Sequence, residues 1–388
     1  MDVVYNPYDP AVNDEPYPVY ARLRAEAPLY HNTDAGFWAL SRHADVSAAL
    51  ADSALLSSDH GPMLDKGAWG RHARTFLSFV AMDPPEHTRM RAAISRGFTP
   101  RRVAALEPMI RKIAQDHIGQ AVERRTFDFA RDIAVKLPLD VISELVGVPL
   151  ADRASVRRSI GAMLRYASTG GQSAEGLETA VSLNDYYRTI VTERRKTPRD
   201  DLVSVLAADG ELTDDDIVAF LFLLIGAGSE TTTHLLSAAW YWAWRNPGQR
   251  AAAFGGAIEG WMEESLRYDT PAHGVARRLT RDTEWHGVRV PEGAHMWLLI
   301  GSANRDESVF PDPDVYDLSR DTGRAISFGA GRHYCLGGPL ARLEGRVALE
   351  ELTKAVSPDY DVDQSGIART AQGNVRGMLS LPTTVIPV

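Results

Sequence analysis

The 388-residue sequence has one cysteine, Cys335, so no internal disulfide can form and nothing calls for an oxidising compartment. Its opening, MDVVYNPYDPAVNDEPYPVY, lacks a basic segment followed by an apolar core, which speaks against a secretory leader or anchor. Long apolar runs are also missing: Ile217 to Gly228 is too short to span a membrane. Positive charge is in deficit, with 42 Lys and Arg against 51 Asp and Glu and a formal net charge of -9, which argues against a nucleic-acid partner. There is no fixed-period repeat, no charge block and no Ser/Gly linker, so one domain over 1–388 is expected. A soluble, cytoplasmic protein without a membrane segment is the resulting expectation.

The residues that are abundant give an ordinary globular balance, 44% hydrophobic and 24% charged. Helical periodicity with few breakers covers 101–125, 138–147, 151–168, 178–196, 214–245, 248–268 and 339–356. Strand-like alternation is confined to 29–40 and 284–300, where Pro291, Glu292 and Gly293 predict the turn of a hairpin. The fold class is therefore mainly α (α+β), helix-rich with a small β-sheet region. Thr213 and Asp216 form a candidate capping box ahead of a helix that is apolar on every side. The polar cluster Ser229 to His234 interrupts that apolar run, and burying it is costly unless its groups are bonded or functional.

Three constellations could carry chemistry. In SFGAGRHYCLGGPLAR (Ser327 to Arg342), glycines flank the thiol and a helix follows. Small residues let a bulky planar group approach the backbone, and a helix N-terminus favours a thiolate able to ligate a metal. A lone cysteine is equally a small buried apolar residue. Glu264 and Arg267 share one helix face and would by themselves make a solvated ion pair. In Ala227-Gly228-Ser229-Glu230-Thr231, a threonine hydroxyl can bond back to the preceding turn, while Glu230 and Thr231 could relay protons.

The cysteine loop resembles the haem-binding signature of the cytochromes P450: a Phe, a Gly three residues on, a basic residue, the ligating Cys and a further Gly. The resemblance runs along nearly the whole chain, including Glu264, Arg267 and an Arg after Phe310 to Asp317, here Arg320. It implies the single-domain cytochrome P450 fold, with haem b between the central long helix and the cysteine-loop helix. Cys335 would be the axial thiolate, with Phe328, Gly329, His333 and Gly337 around it. Glu264, Arg267 and Arg320 would form a buried structural network holding that loop. Ala227 and Gly228 would leave room for O2, and Glu230 and Thr231 would be catalytic. His87 and Arg91 in PPEHTRMR, Arg277 (or its neighbour Arg278) and His333 would meet the haem propionates.

The implied activity is haem-thiolate monooxygenation: two electrons, ultimately from NAD(P)H, activate O2 to hydroxylate or epoxidise a small organic substrate in secondary-metabolite biosynthesis. Phenol or aryl coupling, or another oxidative rearrangement, would use the same machinery. From other classes, a haem-based sensor or electron carrier without turnover and a cofactor-free helical binding protein are the rivals. The resemblance further implies a monomer reduced by a ferredoxin and its reductase, with Arg89, Arg96, Arg101, Arg102, Arg342 and Arg346 as a basic docking face. It places the substrate pocket along 59–79, the region near 160–190, the central helix and a C-terminal turn. Met63, Trp69, Phe76, Leu223, Ala227, His273, Val275, Met378 and Leu379 would line it, with His273 bonding a polar substrate group.

Overall fold

The Thr213 side chain accepts the backbone N–H of Asp216, and the Asp216 carboxylate accepts that of Thr213, so the expected capping box closes the start of the helix Asp214–Arg245. In the computed structural model, which describes residues 3–65, 68–168 and 174–388, this helix runs through the main apolar core. Trp240, fully buried near its end, stacks on Phe129 and Tyr360 at centroid distances of 4.9 and 3.6 Å. The helices Glu107–Arg124, Lys136–Val146, Ile258–Tyr268 and Gly338–Ala355 enclose the core.

A second apolar stretch, Leu235–Trp240, follows the polar cluster, so the helix is more apolar overall than its first run suggests. Its most apolar window has a mean hydropathy of 1.3, making it long and apolar enough to cross a membrane by composition. Its apolar side chains are instead enclosed by neighbouring helices.

The strands Leu29–Asn32, Phe37–Leu40, His295–Leu298, Val275–Leu279 and Leu56–Ser57 lie side by side in that order. The hairpin expected across Pro291–Gly293 does not form. Thr283–Trp285 pairs instead with Val288–Val290 through His286 and Gly287, whose φ values of 52° and 78° suit a tight turn matching strand twist. His295–Leu298 pairs parallel to Phe37–Leu40 and antiparallel to Val275–Leu279, because Met296, Trp297 and Leu298 are all fully buried and need cover on both faces. The single helix expected over 248–268 is two, Pro247–Phe254 and Ile258–Tyr268, parted at Gly256 with φ +106°.

Glu344, on the helix after the cysteine loop, is buried, and its Oε2 has no hydrogen-bond partner among the described residues. Burial alone pushes its carboxyl up to about 8. The folded state thus retains a proton that the unfolded chain releases near the ordinary glutamate value of about 4.3. Stability should therefore be greatest below that value and fall as pH rises toward about 8. Urea unfolding across this range should show the decline, and Glu344→Gln should flatten it.

Candidate active site

The cysteine loop is shaped by its own backbone. Cys335 N–H donates to Phe328 O at 2.8 Å, folding the loop on itself. Gly331 has φ +66°, and a Cβ there would stand 2.8 Å from Ala51 Cα, so only glycine seats the loop on its neighbour. Cys335 is exposed, yet protein surrounds it closely enough that burial pushes its thiol up. The N–H groups of Gly337 and Gly338, then Arg91 and Arg342, act in the opposite direction. The helix-terminal donors favour the thiolate as expected, but desolvation outweighs them in the protein alone. A bound cation would reverse the balance, since coordination deprotonates a thiol outright.

The polar cluster does not break the central helix. Thr231 Oγ1 donates to Ala227 O at 2.7 Å and Thr233 Oγ1 to Ser229 O at 2.8 Å, so the hydroxyls are satisfied within the helix. What marks an open side is Ala227, exposed although Ile225 and Ser229 on either side are buried. Gly226 shares that openness, because a Cβ there would meet nothing within 4 Å. Gly228 is half-buried like Gly226, but a Cβ there would stand 3.0 Å from Ile142 Cδ1. One residue's rotation about the helix axis, about 100°, turns it toward a packed neighbour. Glu230 Oε1 accepts Gln372 Nε2–H at 2.9 Å and lies 3.8 Å from His234 Nε2.

Four nitrogen-bearing side chains gather beside the loop. The His87 and His333 rings are 4.2 Å apart, and His333 Nε2 meets Ser58 Oγ at 3.1 Å. Both nitrogens of His87 and Nδ1 of His333 are buried without a protein partner. Arg91 Nη2 donates to Tyr334 O at 2.6 Å, and buried Arg277 donates to Ala276 O at 2.8 Å. Burial, then the neighbouring arginines, lowers His87 to about 4, and burial lowers Arg277 to about 10. This concentration of under-satisfied donors fits an anionic group with carboxylates on its edge. Arg278 belongs elsewhere, in a two-point contact with Asp59 at 3.1 and 3.0 Å. Ser58 was not anticipated, since its role appears only when chain positions 275 apart meet.

Glu264 and Arg267 are fully buried, not solvated. Arg267 Nε and Nη2 each donate to a Glu264 oxygen at 2.7 Å, and Arg320 Nε reaches Oε1 at 3.3 Å. Arg267 Nη1 continues to the carbonyls of Asn304 and Pro313, both at 3.0 Å. Asn304 then holds the base of the cysteine loop: its Nδ2 donates to Ser327 Oγ and its Oδ1 accepts Ile326 N–H. Sequence reasoning missed Asn304, which ends the short helix Ile300–Ala303 and whose partners Ile326 and Ser327 lie more than 20 positions on.

The expected pocket is only partly assembled, and residues 169–173 of the region near 160–190 lie outside the described residues. His273 is corrected: it is buried between Tyr17 and Tyr20, with Nδ1 3.0 Å from Tyr20 Oη, and burial lowers it to about 3. Leu223 and Met378 are likewise packed into the main core. Met378 and Leu379 alternate on one strand, so Leu379 is exposed where Met378 is buried, and the two cannot face one cavity. Trp69 stacks on His295 at 3.6 Å. Met63 and Val275 are half-buried and Phe76 is exposed. The expected basic face is largely neutralised: Arg96 pairs with Asp209, Arg342 with Glu263, and Arg346 with Glu107 and Glu350. Arg89 donates to Glu211 O, and Arg101 and Arg102 are exposed.

Comparison with known proteins gives one family. Residues 258–364 match the family model Cytochrome P450. Putative cytochrome P450 123 of Mycobacterium tuberculosis is 44% identical over 392 residues, covering 99% of this chain and 97% of its own. Cyclomarin C epoxidase CymV of Salinispora arenicola is 38% identical over 341 residues, covering 85% of this chain and 86% of its own. The solved structure of cytochrome P450 CYP109Q5 from Chondromyces apiculatus superposes with a TM-score of 0.92 at 33% identity, covering all of both chains.

Replacing Arg267 by Ala leaves the Glu264 carboxylate buried without its main partner and should cost about 3–5 kcal/mol of stability. Denaturant unfolding measures this directly, and a change below about 1 kcal/mol would contradict a shared role for the buried ion pair.

Proposed function

The chain belongs to the cytochrome P450 family and is a monooxygenase, and from that premise we propose that it hydroxylates or epoxidises a small lipophilic secondary metabolite. The family implies haem and O2; bound haem supplies the redox centre at which O2 is activated. Cys335 would hold the iron through its sulfur, with the Gly337 and Gly338 N–H groups steadying the thiolate. Arg91, Arg277, His87 and His333 would receive the propionates, which gives their unpartnered nitrogens acceptors. Ala227 would leave open space above that group, while Phe328 and Gly329 shape the loop below it. Glu230 and Thr231 would move a proton toward that space from the Glu230 carboxyl and the Thr231 hydroxyl.

The observation that carries the reading is Cys335 standing exposed in a glycine-built loop, tied through Ile326 and Ser327 to a buried ion-pair network. A substrate of low polarity is supported by half-buried Met63 and Val275 and by the absence of any His273 donor at the open side. Epoxidation stands beside hydroxylation because a relative 38% identical is named an epoxidase. The family also implies redox partners. A cytoplasmic ferredoxin and its NAD(P)H-dependent reductase are proposed, docking at Arg101, Arg102 and Arg332, which are exposed, rather than at the paired Arg342 and Arg346.

The reduced, carbon monoxide-treated protein should show the strongly red-shifted Soret band of thiolate ligation, and Cys335→Ser should lose it. A screen of apolar natural products, steroids among them, should give ligands that perturb the haem absorption spectrum. Retention of the shifted band in Cys335→Ser would overturn the assignment.

A further inference from the structure

Glu230 is held from outside its own helix. Its Oε1 accepts Gln372 Nε2–H at 2.9 Å, and Gln372 lies 142 positions away, in the loop between Ala368–Arg369 and Met378–Ser380. That loop sits hard against the central helix: a Cβ on Gly377 would stand 1.9 Å from the His234 ring, one turn beyond Glu230. Thr370 N–H donates to Gly377 O at 3.0 Å and closes the loop. The loop is fastened in turn to the N-terminal segment. Asn13 Nδ2 donates to Gln372 O at 3.3 Å, and Arg376 donates to the carbonyls of Asn13 and Asp14. Arg376 is buried against Asp269, with 2.8 Å between Nε and Oδ1. A cavity of about 10 Å³, room for one water, lies beneath this junction between His273, Gln372 and Arg376.

We propose that Gln372 is a positioning residue for Glu230, and that the contact with Asn13 fixes Gln372. The proposal rests on the reading of Glu230 as a proton donor. A glutamate has three rotatable side-chain bonds, so an unheld carboxyl at the edge of an open space samples many positions, and proton transfer requires one of them. The Gln372 donor pins Oε1, and among the described residues Oε2 makes no hydrogen bond, leaving it the oxygen that exchanges the proton. The chemistry of the partner matters. An arginine would pin the carboxylate equally well but bind its charged form so strongly that reprotonation would become difficult. A neutral amide orients the group and leaves it able to cycle.

The test uses the haem-loaded, full-length protein with a surrogate ferredoxin, ferredoxin reductase and NADPH, without added substrate. Under these conditions NADPH, O2 and one proton yield NADP⁺ and hydrogen peroxide. Gln372→Leu should slow NADPH oxidation about ten-fold and raise its solvent deuterium isotope effect. Gln372→Met, which keeps the length of the side chain but removes the donors, should do the same and serves if the leucine variant folds poorly. Glu230→Gln should be at least as slow, and the Glu230→Gln/Gln372→Leu double variant no slower than Glu230→Gln alone. Independently of turnover, the infrared carboxylate band lost in Glu230→Gln should shift in Gln372→Leu. A slow Glu230→Gln with an unaffected Gln372→Leu, an additive double variant, or an unmoved band would overturn the proposal. Wild-type rate in Glu230→Gln would instead bring down the proton-donor reading on which it rests.

Discussion

The Arg267 guanidinium is the point on which the architecture turns. It is fully buried, where a charge without partners is prohibitive, and its position is set by four residues from three separate places: Glu264, Asn304, and Pro313 with Val315. Once those acceptors are in place, the helix Ile258–Tyr268, the turn after the short helix Ile300–Ala303 and the segment 311–320 cannot move independently. Asn304 extends the constraint to Ser327 and Ile326, and Ser327 Oγ donates back to Leu266 O at 2.7 Å. The loop that carries Cys335 therefore leaves a fixed base. The ion pair need not add net stability to justify itself; its value lies in fixing one arrangement of several irregular segments.

The central helix works by a different economy. It is buried on most of its circumference, and the hydroxyls of Thr231, Thr233 and Ser237 each bond back along the helix, so they are tolerated there without breaking it. This frees one narrow side, at Gly226 and Ala227, to remain open while the remainder packs to native density. Phe220 on this helix packs against Phe79, Phe79 against His87, and His87 against His333, so an aromatic chain links the helix to the cysteine loop. The two halves of the site are thereby located relative to each other by rings rather than by charges.

Features with local causes were legible in the sequence. The capping box, the glycine-flanked cysteine and the central helix follow from neighbours within a few residues, where side-chain chemistry and backbone preference agree. Spacing alone made Glu264 and Arg267 a solvated pair, since it looks the same on an exposed helix face; their burial was implied only by the family resemblance, and they are buried. Asn304, Ser58 and Gln372 were not legible, since each acquires its role only from a partner brought close by tertiary packing. The misplaced hairpin has the same origin: the chain turns at Pro291–Gly293, but Met296, Trp297 and Leu298 find burial inside the five-stranded sheet, so the turn joins two sheets rather than two paired strands. His273 shows the limit most plainly. A polar residue in a segment expected to border a pocket was equally compatible with an interior aromatic cluster, and only Tyr17 and Tyr20, more than 250 positions away, decide between them.

That cluster also ties the chain's early and late segments to the site. Tyr17 Oη donates to Asp269 Oδ1 at 2.6 Å, Trp242 Nε1 to Asp269 Oδ2 at 2.9 Å, and Arg376 shares the same carboxylate. Burial raises the Asp269 proton affinity, but Arg376, Arg369 and Tyr17 outweigh it, so the carboxyl is held well below its usual range. A charge stabilised so heavily is a rigid anchor rather than a proton carrier. Glu230 stands in the opposite situation, half-buried, with a neutral amide at 2.9 Å and no arginine paired to it. Two carboxylates on adjoining elements thus differ in their company: the one surrounded by cations fixes the framework, and the one held by a neutral amide is the one proposed above to exchange a proton.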